Sequence, residues 1–244
     1  MQPTQALFVE DAYLRECAAT VVDVLPGGVV LDRTVCYPLG GGQPGDTGLL
    51  RTTDGRAWRI TDTRKGEAGA LLHVLASDTP PPAPGVQVEV EIDWPRRYAH
   101  MQMHTCLHLL GAVLRFSVTG GQITARKSRL DFDTQEEIDK EQVTAALDAL
   151  IRANFPVRSQ WITEAELDAR PELVRTLSVK PPRGVDRIRL LEIPGVDLQP
   201  CGGTHVRTTG EIGPMKVVKV ENKGRHNKRV VIAAGAAGAA GAGA

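Results

Sequence analysis

The amino-acid sequence predicts an α+β fold in two parts: a small N-terminal β-barrel-like domain, then an α+β domain in which helices pack on a mostly antiparallel sheet. Short β-branched runs alternate with turn residues before a proline-rich stretch at 77–85, SDTPPPAPG, and helix-start signals alternate with strand patterns after it. Four prolines in these nine residues cannot continue a helix or a central strand, so a domain boundary is expected there. The expected domains are residues 1–85 and 86–232, followed by a low-complexity tail at 233–244 without a function.

The first domain is expected to be a small antiparallel barrel or sandwich. Its β-branched runs lie at residues 20–24, 29–35 and 57–61, and they are separated by ProGlyGly at 26–28 and AspGly at 54–55. Short runs between such turn residues are typical of strands joined by hairpins.

The second domain is expected to open with a strand and a long helix. Residues 86–92 alternate polar and apolar side chains, as a half-buried strand does, and Asp93 with Pro95 supplies a helix-start signal. The helix is predicted to end near Phe116, before a glycine pair at 120–121.

Two further helices are predicted from capping boxes, in which a threonine and a glutamate three residues later satisfy the first turn. Thr134 with Glu137 predicts a helix to about Asn154, and Thr163 with Glu166 predicts a shorter one. Strands are predicted at residues 123–132, 188–193, 212–220 and 230–232.

Composition places the chain among ordinary globular proteins. Of its 244 residues, 42% are hydrophobic and 24% are charged, which excludes the disordered, collagenous and coiled-coil classes. It has neither an apolar run of the roughly 20 residues that cross a bilayer nor a secretory signal at its start, so a cytoplasmic location without a membrane partner is expected. The four cysteines are far apart in the sequence and do not indicate a disulfide framework.

The charge balance is neutral overall but uneven along the chain. Basic and acidic residues both number 29, which argues against a protein that coats nucleic acid through bulk charge. Between residues 201 and 232, however, seven basic residues against two acidic ones give a net charge of +5. The neutral total therefore hides a basic segment.

His104 and His108 lie four residues apart on the predicted long helix, so both imidazoles leave the same face. Helical zinc sites use this spacing, but Thr105 stands where zinc proteases carry a glutamate as general base. A protease is therefore disfavoured. On its own, the pair is equally compatible with two surface or hydrogen-bonded histidines.

Cys201 and His205 repeat the same four-residue spacing in a glycine-rich segment, CGGTH. Together the two pairs supply four ligands of the type that zinc prefers, so a Zn²⁺ site is predicted. Four protein ligands are typical of structural zinc, whereas catalytic zinc keeps a position for water or substrate, and the sequence leaves that choice open.

Residues 36–48, CYPLGGGQPGDTG, form a third motif with three consecutive glycines followed by Gln43, Pro44 and Asp46. No GlyLys(Ser/Thr) follows, so the motif is not a phosphate-binding P-loop. Taken alone, it is typical of a hairpin loop.

The strings YPLGGGQPGDTG, HTCLHLL and CGGTHVRTTGEIGPMKV together resemble the editing domain of alanyl-tRNA synthetase. As a free-standing chain, the sequence is most similar to the medium-length class of AlaX-type trans-editing proteins, over about residues 5–232. Cys106 and Leu107 depart from the small residues often found between the two histidines. The resemblance implies a zinc-dependent hydrolase that removes a mischarged amino acid from tRNA(Ala), chiefly serine, with glycine as a second candidate.

The resemblance also implies which residues form the site. The zinc ligands are His104, His108, Cys201 and His205, and the substrate-binding residues are Thr124, Gly42, Gln43 and Asp46. Thr124 falls where a hydroxyl could read the serine hydroxyl, and a pocket built for that bond is left with unpaired polar groups when alanine enters. Phosphates of the tRNA are expected to meet exposed basic residues: Arg126, Lys127, Arg129, Lys216, Lys219, Lys223, Arg225, Lys228 and Arg229.

Two other functional classes compete with this hydrolase. A non-catalytic tRNA-binding module with a structural zinc would bind tRNA without turnover. A fragment of a complete tRNA ligase is disfavoured, because no candidate for an amino-acid activation domain is visible in 244 residues. In the hydrolase, zinc could activate water, stabilise the oxyanion or orient the substrate, and no catalytic side chain is assigned.

Overall fold

Strands dominate the computed structural model, which describes residues 3–76, 79–177 and 183–235. The chain divides into two compact units, Met1–Tyr98 and Ala99–Ala244, here called the first and the second unit. The predicted α+β class, with a barrel and a mostly antiparallel second part, is confirmed. Among the helices in these described ranges, none is long and apolar enough to cross a membrane.

The first unit is built around a closed six-stranded barrel in the order β2-β3-β7-β6-β5-β8. A short parallel pair, β1 with β4, lies outside this barrel order. The strands are β1 (Gln5–Ala6), β2 (Glu16–Leu25), β3 (Gly28–Leu31), β4 (Arg33–Thr34), β5 (Gly48–Arg51), β6 (Ala57–Lys65), β7 (Leu71–Leu75) and β8 (Gln87–Ile92). Inward-facing apolar residues, such as Val29, Leu50 and Ile60, alternate with exposed ones and fill the barrel core.

The last strand of the barrel is the one that the sequence analysis places at the start of the second domain. β8 pairs with β2 on one side and β5 on the other, which closes the barrel. The proline-rich stretch therefore lies within the barrel's chain and not at its end. Ser77 and Asp78, where this predicted break begins, lie outside the described residues.

The second unit contains two antiparallel sheets, of order β14-β15-β10-β9 and β11-β12-β13. Their strands are β9 (Val118–Gln122), β10 (Lys127–Asp133), β11 (Arg158–Ile162), β12 (Ile188–Ile193), β13 (Asp197–Pro200), β14 (Met215–Asn222) and β15 (Asn227–Ala234). The helices are α1 (Trp94–Leu114), whose first five residues belong to the first unit, α2 (Lys140–Arg152) and α3 (Glu164–Asp168). Short 3₁₀ turns occur at Leu7–Val9, Glu67–Gly69, Pro171–Leu173 and Thr209–Ile212.

The helix starts show which capping predictions hold. Thr163 and Glu166 form the predicted capping box at the start of α3. The box predicted from Thr134 and Glu137 is wrong, because the cap of α2 is Asp139, whose carboxylate accepts from the backbone N–H groups of the two residues 141 and 142. The Thr134 hydroxyl accepts from the backbone N–H of Glu136 instead, because the helix begins six residues later, at Lys140.

The strand predictions in the second unit hold for 188–193 but shift elsewhere. The strand predicted over 123–132 begins only at Lys127, because residues 123–126 form the turn that joins β9 to β10. The strand predicted from 212 begins at Met215, after a 3₁₀ turn. Ala233 and Ala234, predicted to belong to the tail, end β15, and residues 236–244 of that tail lie outside the described residues.

Candidate metal centre

Two ligand pairs from distant parts of the sequence meet in the second unit. His104 and His108 lie on one face of α1, and Cys201 and His205 lie on the irregular segment that follows β13. One potential ligand atom from each of the four residues lies within 4.8 Å of all the others. The predicted convergence of the two pairs is therefore present in the fold.

The donor set and its spacing fit a tetrahedral zinc site. With Zn–S and Zn–N bonds of about 2.3 and 2.0–2.1 Å, tetrahedral angles place a sulfur and a nitrogen ligand about 3.5 Å apart. The Cys201 Sγ atom lies 3.6 Å from His104 Nε2 and 3.2 Å from His205 Nε2. The ring centroids of His104 and His205 are 4.2 Å apart, so the two imidazoles are in direct contact at the cluster.

Thr105 orients the ring of His205. Its hydroxyl donates to the Met101 carbonyl at 2.9 Å, so the hydroxyl oxygen accepts from His205 Nδ1, which is 3.2 Å away. The backbone N–H of Val206 donates to the same oxygen at 3.3 Å. Since Nδ1 of His205 carries the proton, its Nε2 lone pair is directed at the cluster.

Asp197 orients the ring of His108. The His108 Nδ1 atom donates to Asp197 Oδ2 at 2.8 Å, and the carboxylate also accepts from Gln199 Nε2 at 2.8 Å. The Asp197 side chain is fully buried, and its other oxygen lies 3.5 Å from the Arg175 guanidinium. A carboxylate behind a ligating histidine fixes the ring and raises its basicity, so Asp197 is placed to support His108 as a ligand of the candidate centre.

Arg189 holds the loop that carries Cys201. The Arg189 Nε atom donates to the Cys201 carbonyl at 3.0 Å, and an Nη donates to the Gly203 carbonyl. The backbone N–H of Cys201 donates to the Arg189 carbonyl at 3.1 Å. These bonds fix a segment that has no regular secondary structure of its own.

The local charges favour a thiolate at Cys201 and a neutral imidazole at His205, while His108 is shifted toward its protonated form. Burial alone would raise the pKa of the Cys201 thiol, but the surrounding histidines lower it well below its ordinary value. Burial, followed by the neighbouring His104, lowers the pKa of His205 well below its ordinary value, so its nitrogen lone pair is free for a metal. Burial also opposes charge on His108, but the Cys201 thiolate and Asp197 raise the pKa of His108 to about 10.

The glycine-rich motif lies in the first unit as a tight turn. Gly40 and Gln43 exchange two backbone hydrogen bonds, and the two residues between them, Gly41 and Gly42, have φ of 57° and 81°. Two successive positive φ values define a type I′ turn, which only glycine adopts without strain. Gly42 is exposed and Gln43 is fully buried, so the turn presents backbone to solvent and anchors its last side chain inside.

Asp46, at the end of the same motif, is buried in an ion pair with Arg97 of α1. Its Oδ2 accepts from Arg97 Nε at 2.8 Å and from the Tyr37 backbone N–H at 2.7 Å. Arg97 further donates to the carbonyls of Ala12 and Val35 at 3.0 and 2.6 Å. Asp46 thus holds the two ends of the motif together.

Thr124 lies in the exposed turn between β9 and β10 of the second unit. Its hydroxyl donates to the Lys127 carbonyl and accepts from the Lys127 backbone N–H. The hydroxyl oxygen therefore keeps one acceptor lone pair beyond its own turn.

The basic residues expected to meet tRNA divide into three groups in the second unit. Arg129 and Arg229 are paired with Asp131, and Lys219 and Lys223 lie 2.8 and 3.7 Å from Glu221. Lys228 is buried. The exposed residues without an acidic partner among these pairs are Arg126, Lys127, Lys216 and Arg225.

Sequence reasoning missed the residues that position the ligands. Asp197, Gln199 and Arg189 lie on strands whose pairing brings them behind the cluster, and no short motif marks them. In the sequence, Thr105 stands out only because it occupies the position of the zinc-protease glutamate.

Two family models match separate parts of the chain. The model described as tRNA synthetases class II (A) matches residues 4–96, and the model described as Threonyl and Alanyl tRNA synthetase second additional domain matches residues 188–231. The first match lies in the barrel unit, and the second contains Cys201 and His205.

Several relatives match along nearly the whole chain. The "Alanyl-tRNA editing protein AlaX-M" of Methanosarcina mazei is 36% identical over 240 residues, which cover 93% of this chain and 95% of the relative. The protein of the same name from Saccharolobus solfataricus is 33% identical over 233 residues, with 93% and 97% covered. The "Alanine--tRNA ligase" of Sulfurisphaera tokodaii is 36% identical over 232 residues, which cover 91% of this chain but 25% of the ligase.

Proposed function

The chain belongs to the AlaX family of alanyl-tRNA editing proteins, and from that premise we propose that it is a trans-editing hydrolase that deacylates Ser-tRNA(Ala). Gly-tRNA(Ala) is the second candidate substrate. The four-residue cluster of His104, His108, Cys201 and His205 carries the proposal, because it places a metal-binding donor set in a chain of this family.

In this proposal the four side chains would hold Zn²⁺, which would supply a fixed positive charge beside the ester, and would act on it as a Lewis acid by accepting a fifth ligand. The chain's own contribution is to fix the ligands. Thr105 and Asp197 turn the imidazoles toward the centre, and Arg189 holds the backbone of the cysteine loop. The site would thus be rigid before the substrate arrives, which avoids a reorganisation cost during reaction.

Thr124 is proposed to select serine over alanine. The remaining lone pair of the Thr124 hydroxyl can accept a hydrogen bond from the serine hydroxyl, while the Thr124 hydroxyl itself still donates to the Lys127 carbonyl. Alanine offers no hydroxyl, so a bound alanyl group that covers Thr124 and excludes water would leave that acceptor unpaired. We expect Thr124→Ser to retain the selectivity and Thr124→Val to slow serine removal.

The glycine-rich motif is proposed to contribute backbone groups and shape to substrate binding. Gly42 and Gln43 occupy the turn, while the carboxylate of Asp46 is engaged by Arg97. Asp46 would therefore act by holding the motif in shape and not by touching the substrate.

Binding of tRNA is proposed to use basic residues of the second unit. Arg126, Lys127, Lys216 and Arg225 are exposed and can meet phosphates directly. Arg129, Lys219, Lys223 and Arg229 would first have to leave the acidic residues they pair with, and Lys228 would have to become exposed.

A structural zinc in a non-catalytic tRNA-binding module is the second candidate. It is favoured by the number of protein ligands, because a cluster with four is typical of closed structural sites. This candidate shares the family, the metal and the tRNA, and differs only in turnover.

The deciding experiment measures deacylation of Ser-, Gly- and Ala-tRNA(Ala) by the unmodified protein, Cys201→Ala and Cys17→Ala. Cys17 is a free cysteine on β2 outside the cluster, so its variant controls for loss of a thiol. We expect serine to be removed, alanine to be spared, and only Cys201→Ala to lose activity. A folded, zinc-loaded protein that binds tRNA(Ala) but hydrolyses none of the esters would support the structural candidate instead.

A further inference from the structure

The three-stranded sheet of the second unit has one face buried in a core and one face turned to the metal centre. Ile162, Ile188 and Leu190 belong to an apolar cluster on the first face. Since side chains alternate along a strand, the residues between them lie on the other face. That face, here called the site face, carries Trp161, Arg189, Leu191, Asp197 and Gln199.

The site face is tied directly to the ligands. Asp197 and Gln199 of β13 contact His108, and Arg189 of β12 binds the carbonyl of Cys201. A side chain beside Arg189 on this face is therefore separated from the segment that carries Cys201 by Arg189 alone.

Trp161 occupies that position and is exposed. It lies on the edge strand β11, directly opposite Arg189 in the antiparallel register. Paired side chains in such a register have Cβ atoms about 4.5–5.5 Å apart. Although its neighbours Ile162 and Leu191 are buried, 42% of Trp161 is accessible.

The charges around Trp161 are suited to a polyanion. Arg187, just before β12, is exposed, and Arg189 lies directly opposite Trp161, whereas Arg158 lies on the other face of β11, opposite Glu192. The nearby Glu164 lies 3.5 Å from Arg183 and accepts backbone N–H groups, so part of its charge is compensated. An exposed indole among arginines is the combination that binds single-stranded nucleic acid by stacking and phosphate contacts.

We propose that Trp161 is a stacking platform for an unpaired nucleobase next to the aminoacylated 3′-terminal ribose of the substrate. The inference rests on the proposed function, since an ester at the metal centre requires the adjoining nucleotides to lie close by. Every base offers a π-face, so stacking would hold the strand without reading its sequence. Trp161 would then position the ester, while Thr124 reads the amino acid.

Binding to RNA that carries no amino acid tests the platform independently of hydrolysis. The probe is an acceptor-stem RNA hairpin with a single-stranded 3′ end, compared with the same hairpin made blunt. We expect the single-stranded end to quench tryptophan fluorescence, and the quenching to be absent in Trp161→Phe, which retains only the buried Trp58 and the partly buried Trp94.

Affinity measurements distinguish stacking on an aromatic ring from a general effect of removing an exposed apolar side chain. Loss of one stacked base costs about 1–3 kcal/mol, so Trp161→Ala should weaken binding of the single-stranded probe about 5- to 150-fold, with Trp161→Phe retaining most of the affinity. Leu177→Ala is the matched control, since it removes an exposed apolar side chain (60%) of the same unit and should leave binding unchanged. In deacylation, Trp161→Ala should raise KM and leave kcat nearly unchanged.

Two results would overturn the platform. One is equal binding of the single-stranded probe by Trp161→Ala and the unmodified protein, whether or not the protein hydrolyses esters. The other is a change in oligomeric state on sedimentation of Trp161→Ala without a change in RNA affinity, which would assign the edge strand β11 to a contact between copies of the chain. A protein that binds the probe through Trp161 but hydrolyses nothing would refute the proposed hydrolase alone.

Discussion

Removing the Arg97 guanidinium should strongly destabilise the first unit. Arg97 and Asp46 are both almost completely buried, and the guanidinium donates to the carboxylate and to two backbone carbonyls. In Arg97→Met the long apolar side chain remains, but the Asp46 carboxylate is left buried without its counter-charge. Breaking one side of such a pair costs about 3–5 kcal/mol, whereas an exposed pair is worth about 0–1 kcal/mol.

Urea denaturation followed by tryptophan fluorescence can measure this loss in the first unit alone. In a Trp161→Phe background, the remaining tryptophans, Trp58 and Trp94, both belong to that unit. Since m-values of small domains are about 1–3 kcal/mol/M, Arg97→Met should lower the midpoint by about 1 M urea or more. Arg33→Met, which removes the exposed ion pair with Asp32, is the matched control and should shift it little.

A double variant provides the refuting result. Arg97→Met combined with Asp46→Asn leaves no unpaired charge, so it should be more stable than Arg97→Met alone. A loss of less than about 1 kcal/mol in the free energy of unfolding of Arg97→Met would refute this reasoning. It would also be refuted if the losses of the two single variants simply add in the double variant, because the buried charge would then not be what holds the motif.

Three further predictions concern other parts of the chain. Asp197→Asn should keep the fold but weaken zinc binding about 10- to 100-fold in a chelator competition, and unchanged affinity would show that the carboxylate does not support His108. Burial lowers the pKa of His73 to about 4, below the unfolded value of about 6.5, so the protein should lose about 2–3 kcal/mol of stability between pH 7.5 and 4.5. Denaturation of His73→Gln should show a smaller loss over the same interval, and equal losses would contradict the assignment. Asp139→Ala should destabilise the protein by about 0.5–2 kcal/mol in thermal unfolding through loss of the α2 cap, while Glu137→Ala should have little effect.

Local patterns in the sequence predict the parts of the site that lie within a few residues of one another. The spacing of His104 and His108 on a helix requires only the helical period, and the capping box at Thr163 requires only one turn. The barrel strands that follow clear turn residues are likewise found. These features depend on short-range geometry, which the sequence displays directly.

The long-range partners could not be predicted in this way. Asp46 and Arg97 are 51 residues apart, and Asp197 lies 89 residues from His108. Either carboxylate has several basic or imidazole partners available in the sequence, and only the tertiary fold selects one. The error at Thr134 has a related cause, since two capping residues lie near the start of α2 and their competition is decided by the tertiary position of the helix.

The two ligand pairs of the metal cluster lie far apart in the sequence and become available at different stages of folding. His104 and Cys201 are 97 residues apart, so an ion bound to all four ligands would act as a cross-link across a loop of that length. In the chain-entropy model such a closure restricts the unfolded chain by about 5 kcal/mol at 25 °C. The histidine pair forms as soon as its helix does, but the cysteine pair reaches it only after five strands and two helices have been placed. Metal loading would therefore report completion of the second unit's fold, and an incomplete chain would hold only a two-ligand, weakly binding half-site.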